Sequence, residues 1–406
     1  MTRVGLSQAR IDGRLVAAAP GRELVLRAAS AHTMLPGAAP VADAAVVVGG
    51  QGIARVAPYR SLGPMSGATV VDLGDVSLCP GLINAHGHLE LAHLAGASPP
   101  RGEGFPAWVR WLLAQPLASR DPGPIRTALA AMAASGTQAL ADVCTRTPAL
   151  VARACAAAEF PALLFGEFFG CWQARPGELP WPEAPPEPDG QGEEDSLVRT
   201  AAAGHALYST NPETLRLALA WDVARGLPFS LHLAEHQGEV ELLASGQGEF
   251  AELLAKRVLP ENYRAPGLTP VAYAERLGLL GKATLAVHCV QVGPADLDRL
   301  VATDTAVCLC PRSNALIGVG RAPLEAYFAS PLRLCLGTDS LASNDDLNLW
   351  NEARWLRQAM PSPPALPRLL AAMTTTPARV LGFARLGSLA PGRLARLATV
   401  PGDLDE

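Results

Sequence analysis

The sequence predicts an α/β protein, a (β/α)8 barrel carrying a small sheet domain. From about Leu78 onward, apolar runs of four to eight residues alternate with longer Ala/Leu/Arg segments of helical period. That is the texture of repeated βα units around a parallel sheet. Before that point the chain carries short β-rich runs broken by Gly and Pro, which make a small sheet of their own. Eight strand-like runs argue for closure into a barrel, although the count alone also permits an open doubly wound sheet.

In chain order, the N-terminal sheet is read at Glu23–Leu26, Ala45–Val48 and Thr69–Leu73. Barrel strands are expected at 78–85, 138–143, 161–167, 205–209, 228–233, 284–289, 305–310 and 333–338. Cys171 to Asp195 is crowded with Pro, Gly and acids. It reads as an exposed insertion between the third and fourth strands, either a lid or a solvated loop. Near the end, Gly387–Arg393 is a turn, and the apolar run Leu394–Val400 makes a last strand returning to the N-terminal sheet. The expected division is a composite sheet domain, 1–79 plus 380–406, around a barrel of 80–379.

Composition narrows the partners. A chain of 406 residues, 49% of them hydrophobic, can bury a large core. A net charge of −5 leaves no basic excess for nucleic acid. No apolar run reaches the roughly 20 residues that span a bilayer, and residues 1–13 lack the apolar core of a secretory signal. The eight cysteines are scattered, several inside strand-like runs, and read as buried small hydrophobes in a reducing cytoplasm. Cys308 and Cys310 lack the paired spacing of metal ligands. A small-molecule substrate is the expected partner, and a homodimer stays open.

The placement of the eight histidines carries the chemistry. His86 and His88 form a His-x-His pair closing the first barrel strand, in Pro80-Gly-Leu-Ile-Asn-Ala-His-Gly-His88. Alternate strand residues face the same side, so both imidazoles can reach one ion. His232 ends the fifth strand, His288 the sixth and Asp339 the eighth. A lone histidine at a strand end is usually a satisfied polar residue. Five such groups in strand order at the C-terminal mouth of a barrel describe instead a catalytic metal site with room for water. His32, His93 and His236 lack that support, although His93, three residues past Glu90, can approach a substrate.

These segments resemble the amidohydrolase superfamily, in particular its cytosine deaminase-like branch of guanine, S-adenosylhomocysteine and aminofutalosine deaminases and triazine hydrolases. The resemblance spans nearly the whole chain. It rests on the His-x-His opening, His232-Leu-Ala-Glu235, Val287-His-Cys-Val290, Cys310-Pro-Arg-Ser-Asn314 and Gly337-Thr-Asp-Ser-Leu-Ala-Ser-Asn344. It implies a barrel flanked by a β-sandwich built from both termini. It further implies that His86, His88, His232 and Asp339 bind one divalent metal, zinc with iron left open, while Glu235 and His288 work on the substrate. Relatives with two metals commonly use a carboxylated lysine on the fourth strand. Here the only lysines are Lys256 and Lys282, so a mononuclear site is expected.

The implied reaction is hydrolytic deamination of an aminated, nucleoside-like heterocycle. A divalent cation makes water a nucleophile near neutral pH. Asp339 orients that water and accepts its proton, Glu235 protonates the ring nitrogen, and His288 polarises the attacking oxygen. The plainer role for Glu235 is an exposed carboxylate at a helix start, stabilising by roughly 0.3–1 kcal/mol. The substrate expected is 6-aminodeoxyfutalosine, a menaquinone precursor carrying a benzoate. A buried carboxylate wants a guanidinium, and Arg312 after the seventh strand and Arg146 after the second stand at the correct end. A structural or rim ion pair suits Arg312 as well as this role does, and suits Arg146 better. His205 matches a position where relatives touch substrate, and Trp108 is a further substrate contact. The acid that often precedes that tryptophan in methylthioadenosine and S-adenosylhomocysteine deaminases is missing, unless Glu103 replaces it. Adenosine, guanine and S-adenosylhomocysteine deamination and triazine dechlorination are the alternatives; a non-catalytic scaffold is disfavoured.

Overall fold

The structure, a computed structural model, describes residues 7–65, 67–170, 177–181, 196–255 and 257–405. Its site-bearing sheet has eight strands in chain order: β1 (Leu82–Gly87), β2 (Thr137–Cys144), β3 (Ala162–Phe168), β4 (Val198–Ala206), β5 (Phe229–Leu233), β6 (Thr284–His288), β7 (Ala306–Leu309) and β8 (Leu334–Leu336). Each pairs in parallel with the next. A bridge between Gly87 and Asp339 joins last to first. Thr338 and Asp339 both donate their N–H to the His86 carbonyl at 3.1 Å. The sheet therefore closes as a barrel and is not an open doubly wound one. Strands covered on both faces should be continuous apolar runs, and β2 and β3 are buried along their whole length.

The second sheet is mixed. Gln8–Ile11 pairs in parallel with Arg396–Val400, which pairs antiparallel with Ser77–Pro80. Both ends of the chain thus meet in one sheet, over a core that includes Leu24, Leu26, Val46, Val48, Leu78 and Leu397.

Two strand expectations need correction. The run 78–85 is two strands, Ser77–Pro80 in the mixed sheet and β1 in the barrel, with the chain crossing between them at Gly81. A Cβ there would lie 2.4 Å from the Gln138 side chain, so only glycine passes. The fourth strand is Val198–Ala206, not 205–209. Its Ala201-Ala-Ala-Gly204 centre lacks β-branched residues and gives little strand signal. At Gly204 even a Cβ would strike Leu215 at 2.0 Å. His205 is in consequence near the end of β4, at the mouth.

Most of the insertion expected at 171–195 lies outside the described residues, and the lid-or-loop alternative lies there with it. Within its described part, Trp181 packs edge-on against Phe168 and Trp221, with ring centroids 5.1 and 5.0 Å away. The seven described cysteines are free and buried. Among the described residues no helix is long and apolar enough to cross a membrane.

Candidate active site

The barrel mouth gathers His86, His88, His232, His288 and Asp339. Two groupings among them could hold a cation: His86, His232 and His288, and His86, His88 and Asp339. Nε2 of His86 is 3.2 Å from Nε2 of His88, and Oδ1 of Asp339 is 3.7 and 3.6 Å from these two nitrogens. Hydrogen bonds on the far sides of the rings set which atoms face inward. His232 donates its Nδ1 proton to the His205 carbonyl at 2.9 Å, which leaves Nε2 as a bare lone pair. His288 likewise gives Nδ1–H to Oδ1 of Asn314 at 3.0 Å. Oδ2 of Asp339 accepts from the Ser313 and Ser343 hydroxyls at 2.6 and 2.8 Å, turning Oδ1 toward His86 and His88.

Charge agrees with this geometry. Burial, reinforced by the neighbouring imidazoles, holds His86 well below its ordinary value, and burial brings His232 down to about 3. Burial works to raise Asp339, but His88, His288 and the two serine hydroxyls hold it below the usual carboxylate value. Neutral imidazoles and an ionised carboxylate form the nitrogen-and-oxygen donor set a borderline divalent cation takes. The site residues fit such an ion.

The turns that leave the strands are strained. Ala234, His288, Cys289 and Asp339 have φ of 51°, 71°, 47° and 59°, in the left-handed region that non-glycine residues rarely adopt. Close packing forces part of this: a Cβ at Gly337 would come within 2.8 Å of His86 Cβ. The bend at Ala234 delivers Glu235 to the mouth, with Oε1 at 3.7 Å from Nε2 of His288. Burial, then the Asp339 and Glu239 carboxylates, push Glu235 well above the carboxylate range. Both effects favour the protonated form of Glu235 over its carboxylate.

A family model described as the amidohydrolase family matches residues 77–405. The chain belongs to that family. It is 31% identical over 379 residues to the 5-methylthioadenosine/S-adenosylhomocysteine deaminase of Syntrophobacter fumaroxidans, covering 86% of this chain and 77% of the relative. It is 33% identical over 171 residues to the aminodeoxyfutalosine deaminase of Deinococcus radiodurans, covering 40% of this chain and 41% of the relative. An adenosine deaminase from Xanthomonas campestris with bound zinc superposes with a TM-score of 0.76 at 26% identity, over 93% of this chain and 84% of that one. The aminofutalosine deaminase of Helicobacter pylori, in complex with methylthio-coformycin, shares the fold with a TM-score of 0.78 at 20% identity, over 92% and 91% of the two chains.

The remaining sequence-selected residues of this amidohydrolase separate in space. His205 stands beside His232, ring centroids 5.2 Å apart. Arg312 is half-buried and gives Nη1 and Nη2 to the two oxygens of Asp346 at 2.7 and 3.0 Å. Arg146 is exposed, and its backbone N–H goes to Glu90 at 2.9 Å. Trp108 donates Nε1–H to the Ala342 carbonyl, in the loop after β8, at 3.0 Å. His93 is held between the backbone oxygens of Glu90 and Pro116, at 3.0 and 2.7 Å. His236 caps the helix Gln237–Ser245 by accepting from Glu239 N at 3.2 Å. Among the described residues neither Cys308 nor Cys310 joins a metal-type grouping.

Sequence reasoning missed the groups that orient others: Asn314, Ser313, Ser343 and Glu239, whose Oε2 accepts the Glu235 N–H at 2.9 Å. It also missed Glu167, which forms a further grouping with His205 and His232. A polar residue closing an apolar strand was the signal that found the histidines, and Glu167 closes the third strand in the same way.

Proposed function

We propose that this amidohydrolase is a metal-dependent deaminase of adenine nucleosides, with 6-aminodeoxyfutalosine as the preferred substrate. The observation that carries the reaction is the buried Glu235, with Oε1 3.7 Å from Nε2 of His288. His86, His88, His232 and Asp339 would hold one divalent ion, zinc in the first instance. Such an ion, when bound, acidifies water toward neutral pH. Glu235 delivers its proton to the ring nitrogen next to the amino-bearing carbon, so that carbon becomes open to attack. His288, fixed by Asn314, presents Nε2 to the incoming oxygen. Asp339 takes one proton from the attacking water and passes it to the amino group, which leaves as ammonia, and the second water proton returns to Glu235 as the product carbonyl forms.

The resemblance to an aminodeoxyfutalosine deaminase supports the substrate, and Arg146, whose guanidinium has no partner among the described residues, is exposed and available to its benzoate. The second reading is 5-methylthioadenosine or S-adenosylhomocysteine deamination. It is favoured by the wider match, 86% of this chain against 40%, and by the engagement of Arg312 with Asp346. Ammonia release by the zinc-loaded chain from adenosine, both thionucleosides, guanine and aminodeoxyfutalosine decides between them. The expected outcome is a kcat/KM for aminodeoxyfutalosine at least tenfold above the rest. Glu235→Gln should keep its zinc and lose roughly 10²- to 10⁴-fold in turnover, the usual contribution of a general acid. Near-normal turnover by that variant would remove Glu235 from the mechanism.

A further inference from the structure

Glu167 closes β3 at the same mouth and has no part in the chemistry assigned above. Its side chain is almost wholly enclosed, with the residue 5% exposed. Oε2 accepts from the Thr145 hydroxyl at 2.6 Å. Oε1 is buried without a hydrogen-bond partner among the described residues. Nδ1 of His232 lies 3.6 Å from it, but that proton already goes to the His205 carbonyl at 2.9 Å. Leaving such an acceptor unsatisfied costs about 1–3 kcal/mol, more for a charged group. A fold that keeps it so beside a reaction centre has reserved it for a donor that arrives from outside.

The neighbourhood says what that donor is. His205, on the adjacent strand, ties Nδ1 to the Ser209 hydroxyl at 2.5 Å, and among the described residues Nε2 has no hydrogen-bond partner. The ligating-type atoms of Glu167, His205 and His232 all lie within 4.8 Å of one another. Phe169, 45% exposed, stands edge-on to His205 with centroids 5.1 Å apart. Among the described residues no arginine or lysine pairs with Glu167, so an incoming carboxylate or phosphate meets repulsion there. A second cation is a poor match, because His232 has already spent Nδ1 on a carbonyl and turns Nε2 to the other ligands. That leaves two donors, too few for a tight site. A carboxylate that only accepts, next to an imidazole that can accept or donate, suits a pair of neighbouring hydroxyls.

We propose that Glu167, together with His205, reads the vicinal diol of the substrate's ribose and is a specificity-determining residue. The inference rests on the nucleoside reading above and adds the part of the nucleoside that is recognised. It makes the enzyme selective for ribosides over dideoxyribosides and free bases.

The test is calorimetric titration of the zinc-loaded full chain, in a Glu235→Gln background that slows turnover, with adenosine and with 2′,3′-dideoxyadenosine. A charge-assisted hydrogen bond gives an expected preference for adenosine of ten- to a hundredfold. Adding Glu167→Ala should bring that ratio to within about threefold of one, by weakening adenosine and leaving the dideoxy compound unchanged. Glu167→Gln keeps the shape and should retain part of the preference; should the alanine variant fail to fold, a threefold or greater drop with Gln is the required result. A ratio near one in the parent overturns the proposal, as does a ratio untouched by either substitution. Loss of zinc on removing Glu167 also overturns it, by making the carboxylate a ligand or a support of His232. Failure of the deaminase reading shows separately, as a wild-type chain that releases no ammonia yet displays the diol preference.

Discussion

Arg312 carries a permanent charge at the mouth, yet both arms of its guanidinium lie on Asp346, and Glu352 stands 3.6 Å from Nη1. Its backbone N–H is taken by Glu352 as well, at 3.0 Å. Removing one partner of such a network strands the others in a half-buried setting, at a cost below that of a fully buried pair because Asp346 is 39% exposed. Arg146 has no side-chain partner among the described residues. Arg312→Met should therefore lower the unfolding midpoint and reduce kcat/KM for all nucleosides alike. Arg146→Met should spare stability and raise KM for aminodeoxyfutalosine alone, by about ten- to a hundredfold for a lost charge-assisted bond. Paired kinetics on aminodeoxyfutalosine and adenosine separate the two. An Arg312 variant that is stable and selectively impaired on aminodeoxyfutalosine would return the benzoate to Arg312.

At the scale of elements, the turn from β5 into the helix Gln237–Ser245 is held by hydrogen bonds and not by packing alone. Ala234 is left-handed at φ 51°, its carbonyl accepts from Gln291 N at 2.7 Å, and Glu239 reaches back to the Glu235 N–H at 2.9 Å. Burial raises Glu239 to about 8. If that carboxyl fixes the proton donor, Glu239→Ala should lower kcat roughly ten- to a hundredfold with KM and zinc content little changed, the loss of one strong hydrogen bond. Glu239→Gln, whose side-chain oxygen can accept the same N–H, should recover most of the rate. A variant whose KM and zinc content collapse together with kcat would mark a general structural role.

The same turn shows what a sequence can disclose. His232 was legible because polar groups rarely close an apolar strand, and Glu235 through the family resemblance of the His232-Leu-Ala-Glu235 segment. Glu239 was not, since an acid in the first turn of a helix is ordinary and only the fold reveals where it points. For β4 the period was hidden by alanine and glycine, and Gly204 is fixed by Leu215 packed against it. The extra acceptor at Glu167 was visible as a letter, but not as an unmatched oxygen.

Across the whole molecule, several carboxyls are enclosed far from the mouth, and Asp222 is the cleanest case. It sits in the helix Pro212–Val223, accepts Ala202 N at 2.9 Å through Oδ1, and leaves Oδ2 buried without a hydrogen-bond partner among the described residues. Burial, partly offset by the Ala202 N–H and Arg225, raises it to about 8 from an ordinary 3.8. A raised acid is protonated in the folded chain while already ionised in the unfolded one. Its contribution is therefore fully present below about pH 4 and is lost as pH rises toward 8, at up to about 1.4 kcal/mol per pH unit inside that window. Zinc binding works in the opposite sense, because ligands deprotonate as pH rises, so the wild-type curve alone is ambiguous. Asp222→Asn keeps the oxygen that Ala202 uses and cannot ionise. The difference in unfolding free energy between variant and wild type isolates Asp222, because both carry the same metal site. Denaturant unfolding from pH 5 to 8 should show the variant gaining on the wild type steadily with pH, and the gain should flatten above 8. Parallel curves would mean that water or a rearranged Arg225 already solvates the carboxylate.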